Sequence, residues 1–156
     1  MTIKIRKAVK KDVPILEKLD KFGLQLDKYS GLDKLDKNAK EKKGEKNYYE
    51  KFICGKKKWC YVAEENKKIT GFILFDIEKR AEYFKIKKAG HIDLLFVDKK
   101  ARGKGISRLL MKKTTDVLRK EGIEYLRLSV HSDNPAHEVW KKHGFRDYKI
   151  DMWRKI

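Results

Sequence analysis

The sequence predicts an α/β fold of the mixed α+β kind: a central, mostly antiparallel sheet flanked by helices on both faces. Three observations indicate this class. Short apolar segments typical of strands recur along the chain, segments with helical spacing of apolar residues lie between them, and glycines or helix-capping residues separate the two kinds. Strands and helices mixed in this order bury their apolar sides by packing helices onto a shared sheet.

The first half of the chain predicts a strand, two helices and a hairpin. Residues 3–9 alternate apolar with basic side chains, which is the pattern of a strand. Asp12 is a helix-capping residue, and the apolar stripe that follows it keeps helical spacing as far as Leu26. The other predicted elements of this half are a polar loop or frayed helix at 28–45, a short helix at 48–55, and a hairpin of strands at 59–63 and 69–77.

The second half predicts three more strands and two more helices. A buried strand at 89–97 leads through a glycine-rich turn into an amphipathic helix that ends at Gly122. Residues 132–135 mark the start of a further helix, because a capping residue followed by proline is a helix-start signal. The remaining predicted elements are a strand at 125–130, before that helix, and a last strand at 145–153, after it.

Length and cysteine content indicate a single domain in a reducing compartment. We expect one domain over residues 1–156, with one sizeable core. No apolar run approaches the roughly 18 residues that span a bilayer, and the N-terminus lacks the apolar core of a signal peptide. Cys54 and Cys60 are too few for a disulfide scaffold, so free thiols are expected. The expected location is cytoplasmic, without a membrane.

The net charge of +18 has two explanations. A polyanionic partner such as nucleic acid or the ribosome is one of them. A lysine- and glutamate-rich composition of the kind found in thermophiles is the other. The lysines are spread along the whole chain, which favours the compositional explanation, so nucleic acid is possible but not favoured as a partner. The densest region, from Lys34 to Lys58, is the best candidate for a binding patch.

The glycine-rich turn at residues 102–107 has the character of an anion site. A helix N-terminus presents unpaired N–H groups and the positive end of a dipole. Gly103 and Gly105 let a backbone approach a ligand closely, and Arg102 and Lys104 add charge. The alternative is a solvated turn with no ligand. The dinucleotide and P-loop patterns do not fit the sequence RGKGIS at this place.

Three segments in the right order resemble the GNAT family of acyl-CoA-dependent N-acyltransferases. The first is the apolar strand that ends in Val97 and is followed by Arg102–Ser107, which is similar to the family's [QR]xxGx[GA] pyrophosphate loop. The second is Asn134 with the following Pro-Ala, at the start of the next helix. The third is the sequence WKKHGF from Trp140 to Phe145, which is similar to the family's YEKxGF ending.

This resemblance implies direct transfer of an acetyl group from acetyl-CoA to a primary amine, without a metal. The acceptor is left open among a protein N-terminus, a lysine, a polyamine and a small metabolite, and a homodimer is also left open. The sheet is expected to splay between the strands at 91–97 and 125–130, with the pantetheine arm in the opening. The residues implied in coenzyme A binding are Leu95, Phe96, Val97, Arg102, Gly103, Lys104, Gly105, Ile106, Ser107, Asn134 and Trp140. For Asn134, the alternative is a plain helix cap.

The catalytic residues are the open part of this interpretation. Asp93 stands in an apolar run, where desolvation would raise the pKa of a carboxyl toward that of a useful base. His91 lies on the same face if the strand is regular, and the alternative for Asp93 is a structural or strand-edge role. Trp140 replaces a tyrosine that serves many members as an acid, and an indole N–H does not supply a proton at neutral pH. Tyr148 and a water molecule are the candidate substitutes for that acid.

Two other functions stay in competition with an active acetyltransferase. An acyl-CoA-binding domain with little catalysis is suggested by Trp140 in the place of the expected acid. A basic module bound to nucleic acid or the ribosome is suggested by the net charge of +18.

Overall fold

The computed structural model describes residues 2–21 and 47–156, and within these ranges five strands form one sheet in the order β1-β2-β3-β4-β5. The strands are β1 Lys4–Lys7, β2 Lys58–Glu65, β3 Lys68–Lys79, β4 Lys88–Val97 and β5 Leu126–Arg127. The helices are α1 Val13–Lys21, α2 Tyr48–Cys54, α3 Ile106–Lys120 and α4 Ala136–Lys142. The pairings β1–β2, β2–β3 and β3–β4 are antiparallel, and β4–β5 is parallel. The predicted fold class, a mostly antiparallel mixed sheet with helices, is therefore confirmed.

Helices cover both faces of the sheet because β3 is apolar on both sides. Phe72 and Leu74 point into a core shared with α1 and α2, which we call the α1/α2 face. Ile73 and Phe75 point into a second core beneath α3, which we call the α3 face. All four side chains have 0% exposure, so this strand is the centre of the molecule. A continuous apolar run is what a strand buried on both faces requires.

A β-bulge at Asp93 interrupts the regular alternation of β4. Leu94 pairs with Leu74 and Ile92 pairs with Phe75, so Asp93 is the extra residue with no partner on β3. Ile92 packs in the α3 face, while Leu94 packs against the α1/α2 face. The bulge thus places the apolar residue before Asp93 in one core and the apolar residue after it in the other.

The sheet opens between β4 and β5, as the family resemblance implies. The two strands pair only at Gly90 with Leu126 and at His91 with Arg127. From there to Val97, β4 has no strand beside it on that side within the described residues. The pairing of the two parallel strands thus ends at His91, and beyond it this backbone edge of β4 has no ladder partner among the described residues.

Two predicted strands differ from the structure. The strand predicted at 125–130 is reduced to Leu126–Arg127, and the last strand predicted at 145–153 is wrong, because that segment is irregular. Apolar alternation favours a strand only where a neighbour supplies ladder hydrogen bonds, and a two-residue β5 offers almost none. The side chains of Ile150 and Met152 are accordingly exposed, at 84% and 90%.

The predicted hairpin and the predicted ends of α2 and α3 agree with the structure. The predicted continuation of the first helix to Leu26, and the polar segment at 28–45, lie outside the described residues. Across residues 2–21 and 47–156, no helix is both long enough and apolar enough to cross a membrane.

Candidate active site

The unpaired edge of β4 presents its backbone groups to the opening. Asp98 N–H donates to Thr70 O at 2.8 Å, which makes these two residues a hydrogen-bonded pair. Because such pairs alternate along an antiparallel ladder, the N–H and C=O groups of Leu95 and Val97 point away from β3, toward the opening.

The side chains of the same residues hold this edge in place. Leu95 and Val97 pack against the α3 face, whereas Phe96 packs on the α1/α2 face and stacks on Phe72 with 5.7 Å between ring centroids. Anchoring on both faces fixes the strand while its backbone stays available to a ligand.

The glycine-rich turn lies at the end of this edge and leads into α3. Gly103 has φ 81° and Gly105 has φ 77°, a left-handed region that favours glycine. Gly105 precedes α3, and its carbonyl accepts from Leu109 N–H at 3.1 Å, which is the first bond of the helix. The amides of Ile106 and Ser107 are in the first turn, where N–H groups have no partner within the helix.

The space in front of the turn is open. A Cβ atom placed on Gly103 or Gly105 meets nothing within 4 Å. The buried side chain of Ile106 ties the start of α3 to the core. A rigid helix N-terminus facing open space is the arrangement that receives an anion.

Both basic side chains of the turn already have partners. Lys104 Nζ contacts the two carboxylate oxygens of Glu65 at 2.9 and 2.8 Å, and Glu65 is 8% exposed. Arg102 Nε donates to the carbonyl of Val97 at 3.2 Å. These side chains, expected from the sequence to add charge, therefore also stabilise the turn. Glu65, which no sequence motif singled out, is the buried anion that holds Lys104.

His91 lies beside a carboxylate that sequence reasoning missed. His91 is opposite Asp76 in the β3–β4 register, and His91 Nδ1 is 3.6 Å from Asp76 Oδ1. The other oxygen, Oδ2, contacts Lys58 Nζ at 2.6 Å. The register that joins Asp76 to His91 passes through the bulge, so no local sequence pattern could have indicated the pair.

Asp93 occupies the bulge and interacts with a buried acid of α1. Although Asp93 is an exposed residue, partial desolvation of its carboxyl raises its pKa, and the negative charge of Asp20 raises the pKa further. His91 is on the α1/α2 face, since its neighbour Ile92 packs in the α3 face. The sequence prediction that Asp93 and His91 share a face relied on a regular strand, whereas the bulge at Asp93 interrupts the alternation between them and Leu94.

Asp20 itself is 6% exposed and accepts a hydrogen bond from the hydroxyl of Tyr49. Burial raises the pKa of Asp20, while the Tyr49 hydrogen bond opposes this change. The second oxygen, Oδ1, is buried without a hydrogen-bond partner among the described residues.

Three other predicted site residues lie on or next to α4. Asn134 Oδ1 accepts from Ala136 N–H at 2.9 Å, the bond of a helix cap. Trp140 packs against the α3 face, and its ring is 5.5 Å from that of Phe145. Neither contact tests a role in binding coenzyme A, so these roles stay predictions.

The third of these residues, Tyr148, lies near the other end of β4. Its side chain is 75% exposed, and its hydroxyl is 3.4 Å from Arg80 Nη2. Arg80 follows Lys79, which pairs with Lys88 at the start of β4, whereas the glycine-rich turn follows the end of that strand. A proton-donating role for Tyr148 has no supporting contact in this arrangement and stays a sequence prediction.

Within the described ranges, no group of three or more histidine, cysteine, aspartate or glutamate side chains is arranged to hold a metal ion.

Comparison with known proteins identifies the class of this fold and site. The opened sheet and the glycine-rich turn at its edge are typical of acyl-CoA-dependent N-acyltransferases, the class that the sequence motifs resemble. The family model for the acetyltransferase (GNAT) domain matches residues 26–152. The chain belongs to this GNAT acetyltransferase family.

Individual relatives agree with this assignment. The chain is 30% identical over 156 residues to an uncharacterized N-acetyltransferase of Methanocaldococcus jannaschii, a match that covers 96% of this chain and 63% of the relative. The chain thus spans less than two thirds of that relative's length.

Two solved structures share the fold at low identity. A predicted acetyltransferase from Clostridium acetobutylicum, solved with acetyl-CoA, is similar with TM-score 0.73 and 21% identity, over 99% of this chain and 96% of that one. A tetramutant of the BH1408 protein from Bacillus halodurans is similar with TM-score 0.82 and 19% identity, over 98% and 99% of the two chains.

Proposed function

We propose that the protein is an N-acetyltransferase that moves an acetyl group from acetyl-CoA directly to a primary amine. The observation that carries the proposal is the unpaired backbone edge of β4, which faces the opening beside β5 and ends at the glycine-rich turn. Family membership supports it, as do the name of the archaeal relative and the acetyl-CoA complex of the clostridial structure.

The residues present fit coenzyme A in two ways. The amides at the start of α3 suit a pyrophosphate, with Gly103 and Gly105 leaving room for it. The outward N–H and C=O groups of Leu95 and the outward N–H of Val97 suit the pantetheine amides, in the manner of strand addition, while the Val97 carbonyl accepts from Arg102.

When bound, acetyl-CoA supplies a thioester whose acetyl carbon becomes bonded to the amine nitrogen as the carbon–sulfur bond breaks. The N–H of Leu95 points to the opening and is the group we assign to polarising the thioester carbonyl. Asp93, whose pKa is raised by desolvation, and His91, which lies beside Asp76, are the candidates for removing the proton of the amine. A CoA thiolate is a good leaving group, so Trp140 at the expected position of the acid does not prevent transfer.

Among three acids near the β4–β5 pairing, one is not compensated by a cation within the described ranges, in spite of the net charge of +18. Asp76 and Glu78 are paired with Lys58 and Arg127, respectively. The carboxyl of Asp93 has no ion pair among the described residues and has its pKa raised by desolvation and Asp20. An uncompensated acid favours an amine that arrives as a cation. The proposed partners are therefore acetyl-CoA and a cationic amine, and the free Cys54 and Cys60 support a reducing, cytoplasmic setting.

Release of the CoA thiol, measured with a thiol reagent over a panel of amines, tests the proposal. The panel contains peptide N-termini, lysine peptides, polyamines and amino sugars. A Cys54→Ser background removes the exposed protein thiol. Cys60 is 0% exposed and burial raises its pKa to about 12, so this thiol does not react with the reagent.

Saturable CoA release with at least one amine is the expected result. Calorimetry with acetyl-CoA separates the alternatives. Tight binding of acetyl-CoA without turnover on any amine would favour an acyl-CoA-binding domain. The absence of acetyl-CoA binding would contradict the proposal.

A further inference from the structure

We infer that Asp76 is a positioning residue: it holds the imidazole of His91 with Nδ1 protonated, so that Nε2 is free to accept the proton of the acceptor amine. This inference rests on the proposed function, because it assigns proton removal in that reaction to His91 rather than to Asp93.

The pair is built by the register of two neighbouring strands. Asp76 of β3 lies directly opposite His91 of β4. Their respective neighbours, Phe75 and Ile92, both pack in the α3 face, so the two polar side chains share the α1/α2 face. His91 Nδ1 is 3.6 Å from Asp76 Oδ1, slightly beyond hydrogen-bond distance.

The carboxylate is fixed from its other side. Asp76 Oδ2 contacts Lys58 Nζ at 2.6 Å, and the Lys58 ammonium is 4.9 Å from the centroid of the Phe52 ring. Asp76 Oδ1 is buried and has no hydrogen-bond partner in the described part of the chain. A buried carboxylate oxygen without a donor is an exception that calls for a function, and the Nδ1–H of His91 is the donor that this geometry supplies.

His91 stands where the sheet opens. It is the last residue of β4 that pairs with β5, and its side chain is 26% exposed, so part of the imidazole is accessible from outside the core. The next polar pair on the same face, Glu78 with Arg127 at 2.7 Å, joins β3 to β5 and satisfies its own charges. Asp76 is thus the carboxylate on β3 that faces the imidazole.

Such a pair has a clear chemical role. A carboxylate at Nδ1 selects the Nδ1–H tautomer of a neutral imidazole and leaves the lone pair of Nε2 exposed. Nε2 takes one proton from the ammonium of the acceptor, which frees the lone pair of the nitrogen, and that proton then passes from His91 to solvent. As the nitrogen bonds to the acetyl carbon, the carbon–sulfur bond breaks with its electron pair on sulfur, and the second proton of the nitrogen passes through solvent to the thiolate.

A double-mutant cycle on turnover tests the role. His91→Gln is expected to lower kcat about 100-fold. Asp76→Asn is expected to lower kcat about tenfold, with the KM for acetyl-CoA unchanged. The double variant is expected to match His91→Gln, because Asp76 acts through the ring. Asp116→Asn is the control away from the site, because this exposed carboxylate pairs with Lys112 on α3, and it is expected to retain kcat. The inference would be overturned if the double variant lost kcat by the product of the two single-variant losses. It would also be overturned if Asp93→Asn lost turnover while His91→Gln kept it.

The tautomer of His91 gives a readout that needs no acetyl transfer. ¹⁵N NMR of the imidazole, at a pH where the ring is neutral, is expected to show Nδ1–H in the wild type and a shift toward Nε2–H in Asp76→Asn. If His91 of the wild type carries its proton on Nε2, the inference is contradicted even if the enzyme is active. Conversely, if His91 shows the Nδ1–H tautomer but no amine is acetylated, the proposed function is refuted while the interaction between Asp76 and His91 stands.

Discussion

Asp12 and Asp20 are both buried aspartates, and their environments affect ionisation in opposite directions. Burial of Asp12 opposes its charge, but hydrogen bonds from Arg6 and from Val9 N–H prevail and lower the pKa of Asp12. Arg6 contacts both oxygens of Asp12, at 2.7 and 3.1 Å. Asp20 has only the hydroxyl of Tyr49 as a described partner, so its burial raises its pKa. A charged Asp20 is therefore a source of instability, and a charged Asp12 is not.

The first prediction concerns the pH dependence of stability in Asp20→Asn. A raised folded-state pKa means that the folded protein binds the proton more tightly than the unfolded chain, whose pKa is about 3.9. The free energy of unfolding of the wild type should therefore fall relative to Asp20→Asn as pH rises from about 4 through the folded pKa. Urea denaturation across this range measures the difference.

Asp12→Asn is the matched control, with the opposite sign. The lowered pKa of Asp12 contributes stability above about pH 4 that is lost as pH falls through the folded pKa. The variant should be less stable than the wild type at neutral pH, and the gap should narrow in acid. A pH-independent difference for Asp20→Asn would contradict a raised pKa of Asp20 in the folded protein.

At the level of elements, α3 connects the core to the candidate anion site. Ile106 and Leu110 anchor the helix in the α3 face, at 1% and 0% exposure. The helix begins after Gly105 and is followed by Gly122, and both glycines have positive φ, at 77° and 73°. The same backbone conformation thus occurs at both ends of one helix, but only the first end faces the opening of the sheet.

The second prediction uses this symmetry. Gly105→Ala and Gly122→Ala should each cost about 1–2 kcal/mol of stability, because L-residues disfavour the left-handed region. Gly105→Ala should in addition weaken acetyl-CoA binding about tenfold, since its methyl group enters the space before the loop amides. Calorimetry on both variants provides the comparison. Equal affinities would show that the turn does not hold the pyrophosphate.

For the whole molecule, the net charge of +18 bears on encounter with an anionic cosubstrate. Much of the charge of individual side chains is compensated locally, as for Lys104 with Glu65 and Lys58 with Asp76. The excess positive charge nevertheless gives the protein a long-range attraction for phosphates that salt screens within about 10 Å at 0.1 M.

The third prediction is a salt-dependent association rate. Raising ionic strength from about 0.05 to 0.5 M should slow acetyl-CoA association about tenfold, with a smaller change in dissociation. Stopped-flow measurements on acetyl-CoA test this, with acetyl-pantetheine, which lacks the phosphates, as the uncharged control. Equal salt effects on both ligands would mean that the net charge has no part in capture.

Local sequence patterns were sufficient for much of this fold. The hairpin of β2 and β3, the start of α3 after Gly105 and its end before Gly122 are set by interactions among residues close in the chain. Turn conformations and helix termini depend on the residues that form them, so their sequence signals are direct. The positive φ of Gly103 and Gly105 in the turn at residues 102–107 follows from the same local signals.

The contacts of the polar residues on β4 could be known only from the folded chain. The Asp93 bulge shifts the register of β4, and that shift sets His91 opposite Asp76. Lys104 meets Glu65 across 39 residues of sequence, although nothing near either residue indicates the other. The predicted strand at 145–153 failed because a strand needs a partner that its own sequence does not contain. Contacts between distant segments follow from packing and register, and these are properties of the assembled sheet.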